Sequence, residues 1–154
     1  MAFYQFHKEQ IIDASIDEVW DFISSPQNLK KITPKEMDFE ILTPNLPDKI
    51  YEGMIISYSV RPLLGIPTNW VTEITHMKDK SYFVDEQRVG PYKLWHHQHI
   101  ITPLYAGVLM KDIVSYQPPF GWLGNIANAL IIKHRLEEIF RYRGEVIKEI
   151  FPKK

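Results

Sequence analysis

The chain contains no cysteine. That excludes a disulfide framework and any thiolate chemistry. Charge of one sign is also missing: 18 Lys and Arg stand against 19 Asp and Glu, a formal net charge of −1. With no basic excess, nothing favours a phosphate backbone or an anionic lipid, so neither nucleic acid nor stable membrane insertion is expected. No apolar run approaches the ~20 residues that span a bilayer. The opening MAFYQFHKEQ lacks the basic segment followed by an apolar stretch that marks a secretion signal. A cytoplasmic location is the expectation that follows. Phosphate loops, G-x-G-x-x-G turns, nucleophile elbows and H-E-x-x-H pairs are absent as well, so the common signatures of nucleotide, acyl-transfer and zinc-protease chemistry are missing.

What the sequence does have is apolar and aromatic surface. Of 154 residues, 45% are hydrophobic and 13% aromatic. That is enough for one domain over residues 1–154 with aromatic surface left to line a cavity, expected to hold at least ~300 Å³. Residues 3–12 read as a strand. Ser15-Ile16-Asp17-Glu18 fits a capping box that opens a helix carrying Ile16, Val19, Trp20 and Ile23 on one stripe. A second short helix is expected over residues 27–32, stopped by Thr33-Pro34.

Period two then governs some eighty residues. Phe39/Ile41, Met54/Ile56/Tyr58/Val60, Trp70/Thr72/Ile74 and Phe83/Asp85/Gln87/Val89 occupy alternate positions between Pro, Gly and Asp turns, as in an antiparallel meander with one covered face. Pro118-Pro119-Phe120-Gly121 ends the last strand. A 3.6-residue period follows through Leu123, Ile126, Ala127, Leu130, Ile131, His134, Ile139, Arg143, Val146, Ile147 and Ile150. This predicts one helix from Trp122 to Ile150, roughly 28 residues and ~40 Å long, laid across the sheet. Arg141, Arg143 and Lys148 read as ordinary helix charges. The fold class is therefore α+β: seven antiparallel strands curved around a long C-terminal helix, with two short helices after the first strand.

One stretch concentrates chemistry. Leu94-Trp95-His96-His97-Gln98-His99-Ile100 holds three of the six histidines. On a strand, Trp95, His97 and His99 share one face and His96 the other. A hairpin centred near residues 104 and 105 would set His97 opposite Asp112, Trp95 opposite Val114 and His99 opposite Met110. A three-residue turn at Gly90-Pro91-Tyr92 would set Asp85 against His97 and Gln87 against Trp95. A two-residue turn would instead pair His96 with Asp85 and reverse the faces. In the first register Asp85, Gln87, His97, His99 and Asp112 form a polar band inside an aromatic cavity.

Three readings compete for that band. In the preferred one it is a structural network, its carboxylates and imidazoles satisfying one another and seating a polar ligand group. In the second it is a general acid/base site, with Asp85 or Asp112 orienting His97 or His99 and Tyr116 polarising a carbonyl. In the third, His97, His99 and Asp112 bind zinc; no cysteine or further ligand cluster supports this, so no metal and no cofactor are expected.

Several stretches carry a family likeness: Asn28-Leu29-Lys30-Lys31-Ile32-Thr33-Pro34, Gly65-Ile66-Pro67 with Trp70, and Phe83-x-Asp85-x-Gln87-x-x-Gly90-Pro91-Tyr92. To these add Trp95-x-His97-x-His99, Asp112-x-Val114-x-Tyr116, Pro119-Phe120-Gly121 with Leu123-Gly124, and Leu136-x-x-Ile139-Phe140-x-Tyr142-Arg143. Together they resemble the SRPBCC or START-like ("helix-grip") superfamily, nearest to a bacterial polyketide cyclase/dehydrase-like, ligand-binding subgroup. Val108-Leu109-Met110 departs from the Gly-Thr often found there. The resemblance implies a monomer or weak homodimer that binds a small hydrophobic or amphipathic ligand, walled by Trp20, Phe39, Tyr58, Trp70, Phe83, Trp95 and Tyr116. It leaves open a cofactor-free cyclase- or dehydratase-type enzyme and a protein-interaction module.

Overall fold

The computed structural model describes residues 3–153. The capping box forms as its residue types dictate: Ser15 Oγ accepts from the Glu18 amide at 3.2 Å, and a Glu18 carboxylate oxygen accepts from the Ser15 amide at 2.8 Å. It opens α1 (Ile16–Ile23), which follows β1 (Tyr4–Ile12) and buries Val19 and Trp20. The short second helix is a 3₁₀ helix over Pro26–Lys30, begun by a proline whose missing N–H costs nothing at a helix start. Another 3₁₀ turn covers Lys35–Met37.

The strands are β2 (Glu40–Ile41), β3 (Ile55–Val60), β4 (Thr68–Lys78), β5 (Tyr82–Val89), β6 (Leu94–Leu104) and β7 (Gly107–Gln117). With β1 they form one seven-stranded antiparallel sheet in the order β1-β7-β6-β5-β4-β3-β2. The first strand thus closes against the last. Irregularities in the β4–β5 ladder, between Val71 and Thr72 and between Ile74 and His76, break strict alternation there. Val89, expected inward, is exposed.

The C-terminal helix spans 30 residues, from Gly121 to Ile150. It is α-helical over α2 (Gly121–Ala127) and α3 (Lys133–Ile150), with a π-helical stretch, Asn128–Ile132, between them. The extra residue in a π turn rotates everything before it by about one residue, ~100°, around the axis. The expected inner stripe therefore fails in the first half. Leu123 and Leu130 are 54% and 73% exposed, whereas Gly124, Asn128, Ile132 and Leu136 are buried; His134, past the π stretch, faces solvent because it lies two residues from the inward Leu136. Past the π stretch, Phe140, Arg143 and Ile147 face the sheet. Among the described residues no helix is long and apolar enough to cross a membrane.

Candidate functional site

Between sheet and long helix lies a cavity of about 180 Å³. It is smaller than the ~300 Å³ expected, because side chains from both layers reach into it. Phe39, Tyr58, Trp70, Phe83 and Trp95 line it, as do the helix residues Leu136, Ile139, Phe140 and Ile147. Three aromatics named from the sequence pack tightly, with Trp70 against Tyr58 at 6.1 Å and against Trp95 at 5.2 Å between ring centroids.

The polar wall is built by β5, β6 and β7. In the β5–β6 ladder Asp85 faces His97, the pairing a three-residue turn requires. The β6–β7 hairpin is displaced by two residues from expectation: His97 pairs with Val114, His99 with Asp112 and Trp95 with Tyr116. The turn holds only Tyr105 and Ala106, between Leu104 and its partner Gly107. A two-residue shift changes every partner but no face. His97 and His99 therefore point inward. His96 lies on the other face, its Nδ1 2.5 Å from Glu86 Oε1.

Each inward imidazole bridges the same two carboxylates. His97 Nε2 lies 2.8 Å from Asp112 Oδ1 and its Nδ1 3.6 Å from Asp85 Oδ2. His99 Nε2 lies 2.5 Å from Asp85 Oδ2 and its Nδ1 3.4 Å from Asp112 Oδ1. The rings pack with centroids 3.7 Å apart, and Phe83 stacks on the far side of His99 at 4.1 Å.

Burial and partners divide the charge among them. For His97, desolvation and the neighbouring His99 outweigh the attraction of Asp112 and Asp85 and lower the pKa to about 4. Burial also opposes the charged form of His99, but hydrogen bonds to Asp112 and Asp85 overcome it and raise its pKa. Burial disfavours both carboxylate charges too. The His99 hydrogen bond nonetheless lowers the pKa of Asp85, and hydrogen bonds from His97 and His99 hold Asp112 well below the usual carboxylate range. Beside two carboxylates held in their charged form, His99 therefore takes up a proton at higher pH than His97 does. The short contact to Asp112 favours the His97 proton on Nε2, with Nδ1 turned toward Asp85.

The cluster also holds Arg143, read from the sequence as an ordinary helix charge. It lines the cavity, is 8% exposed, and sets one guanidinium nitrogen 3.5 Å from Asp112 Oδ1. Its place between Ile139 and Ile147 on the inner stripe was the available signal, since helix neighbours four apart share a face. Thr72 was also missed as a polar group of the wall; it meets the Tyr58 hydroxyl at 3.1 Å. Desolvation, reinforced by Asp85, raises the Tyr58 pKa and keeps that hydroxyl protonated.

Three expected wall residues lie outside the cavity lining. Gln87 instead clamps the β5–β6 turn: its Nε2 donates to the Tyr92 carbonyl at 2.7 Å and its Oε1 accepts from the Tyr92 amide at 3.1 Å. The β5–β6 pairing ends at Glu86 and His96, one residue short of Gln87 and Trp95. Tyr116 is buried behind the cavity, donating to Asn128 Oδ1 of the π stretch at 2.6 Å. Trp20 is buried against the edge of Phe83. Ligand atoms of Asp85, His97 and His99 lie within 4.8 Å of one another, close enough to hold a metal ion. The carboxylate of that set is Asp85 rather than the Asp112 named from the sequence.

No protein-family model matches this sequence, and no curated protein does. Solved structures do match. A START superfamily protein from Mycobacterium smegmatis aligns over 95% of this chain and 98% of its own, with a TM-score of 0.71 and 13% identity. Norcoclaurine synthase from Thalictrum, solved as a point mutant with a transition-state analogue, aligns over 97% and 96%, with a TM-score of 0.67 and 16% identity. A major latex-like protein from Panax ginseng aligns over 97% and 98%, with a TM-score of 0.67 and 8% identity. The shared architecture is the START-like helix-grip fold, and this chain has it.

Proposed function

Starting from a helix-grip fold that encloses a cavity, we propose that this chain binds a small hydrophobic or amphipathic ligand there and sequesters or delivers it. One observation carries the reading: the void between sheet and helix is lined largely by aliphatic and aromatic side chains and has a charged wall where Asp85, His97, His99, Asp112 and Arg143 meet. Such a wall orients one polar end of a ligand while the rings cover the rest. The volume, about 180 Å³, sets the scale; an engineered apolar cavity of about 150 Å³ takes up benzene. The ligand is accordingly on the order of one substituted ring. In this reading Tyr58, Trp70, Phe83, Trp95, His97, His99 and Asp112 contact it, and the protein is a cytoplasmic monomer or weak homodimer.

Native mass spectrometry of the protein purified from its own host tests this. The expected result is a co-purifying molecule of low mass that leaves on denaturation. A bare chain that also takes up no small aromatic probe would remove the reading.

A second reading, cofactor-free acid/base catalysis of the cyclase or dehydratase type, is favoured by the unlike protonation of His97 and His99. One ring resists protonation and its neighbour favours it, the contrast that abstraction and return of a proton require. Turnover of a bound ligand that is lost in a folded His97→Phe variant would favour the enzyme.

A further inference from the structure

Arg143 has too few partners for where it lies. A guanidinium carries five N–H donors. Here the side chain is nine-tenths buried, its Nε is buried without a partner, and among the described residues it makes no hydrogen bond. Among the described residues its one ion-pair contact is the 3.5 Å approach to Asp112 Oδ1, and its guanidinium lies 4.7 Å from the centre of the Phe140 ring. Buried polar groups are otherwise paired in folded proteins, and an unmet charged donor is among the costlier exceptions. The other charged groups of the wall are not in this position. Asp112 takes both imidazoles and is 2% exposed, while Asp85 is held by His99 at 2.5 Å and faced by His97. What the cavity lacks is an acceptor for Arg143.

Resting on the reading that the cavity binds a small ligand, we propose that this ligand is a single-ring aryl carboxylate or a short alkyl carboxylate, its carboxylate seated on Arg143. The planar fork of a guanidinium matches two carboxylate oxygens and would use donors that no protein group meets. A phosphate offers three oxygens and a higher charge to one arginine beside two aspartates, which suits it less. A cationic ligand would need a free carboxylate, and both are engaged. The aromatic walls cover the ring, and the volume of about 180 Å³ limits it to one.

Isothermal titration of the full chain with benzoate, benzamide and benzylamine, three molecules of one shape and different charge, tests the assignment. Benzoate should bind roughly 10- to 100-fold more tightly than benzamide, the range that charge-assisted hydrogen bonds provide, and benzylamine should bind no better than benzamide. In Arg143→Gln the benzoate advantage should vanish while benzamide binding persists. Because Asp112 loses a neighbour there, Arg143→Lys is measured beside it; it keeps the charge without the fork and should retain part of the preference. If benzamide or benzylamine equals benzoate on the natural chain, or a folded Arg143→Gln keeps the full preference, the carboxylate assignment is wrong and the cavity reading stands. If none of the three probes binds, both are wrong.

Discussion

His97 and His99 lie with ring centroids 3.7 Å apart, yet they do not share one protonation state. Two imidazolium ions at that distance repel, and two neutral rings would leave two buried carboxylates facing a single arginine. One proton on the pair balances the cluster, and His99 takes it because its hydrogen bonds to Asp112 and Asp85 outweigh its burial.

This division predicts the titration. Histidine resonances followed by NMR should show one of the two inward rings titrating near pH 4 and the other above the ordinary value of 6.5. The sign of the stability change follows. His97 is protonated in the unfolded chain below 6.5 but in the folded chain only below about 4, so its contribution is full above 6.5 and is lost as pH falls between those values. Asp85 and Asp112 add a further loss as pH falls below 3.8. His99, with a raised pKa, contributes fully below 6.5 and loses that contribution at higher pH. Urea midpoints should therefore fall between pH 6.5 and 4. A flat profile across that window would contradict the assignment.

Replacing His97 by Phe keeps a ring of similar size and removes the hydrogen bond to Asp112, which is buried and then holds only His99 and the distant Arg143 contact. The expected cost is ~1–3 kcal/mol. His96→Phe removes a part-exposed contact to Glu86, worth ~0–1 kcal/mol. Chemical denaturation of both variants decides it: if His96 is the costlier site, the inward face of β6 has been misassigned.

That face was legible from the sequence because a strand's period of two forgives an even error. The β6–β7 hairpin turns one residue later than expected, which shifts every cross-strand partner by two, so His99 rather than His97 pairs with Asp112, yet both remain inward. The long helix was less legible, since a 3.6-residue count cannot foresee the π stretch at Asn128–Ile132 that turns Leu123 and Leu130 to solvent. Gln87 alternates correctly with Asp85 but is taken by the Tyr92 backbone, an interaction set by loop geometry rather than by pattern. Arg143 lay on the inner stripe and was still passed over, because an arginine gains meaning only when the groups opposite it are known.

The π stretch has its own test. The Tyr116 hydroxyl donates to Asn128 Oδ1 at 2.6 Å, tying β7 to the one irregular part of the helix. Tyr116→Phe would leave the buried Asn128 oxygen without this donor, at an expected ~1–3 kcal/mol. Hydrogen exchange should quicken first in residues 121–132. Uniform quickening along the whole helix, or none, would mean that the bond does not anchor the stretch.

Cavity size gives the last prediction. Leu136 is 3% exposed and lines the void, so Leu136→Ala adds space where the ligand would sit. The variant should lose ~2–5 kcal/mol of stability, the usual cost of emptying a buried leucine site. It should also change what enters. With about 180 Å³ available, the natural chain should accept one-ring probes and bind two-ring indole weakly. The enlarged cavity should admit indole, and bound indole should return part of the lost stability, because a ligand that binds only the folded state raises its melting temperature. Thermal unfolding with and without indole reads both effects at once. If the natural chain is stabilised by indole as much as by one-ring probes, the cavity opens further than its walls indicate and the one-ring limit fails. If Leu136→Ala is destabilised and no probe restores it, the added space has collapsed, and Leu136 is a packing residue of the core rather than part of a ligand wall.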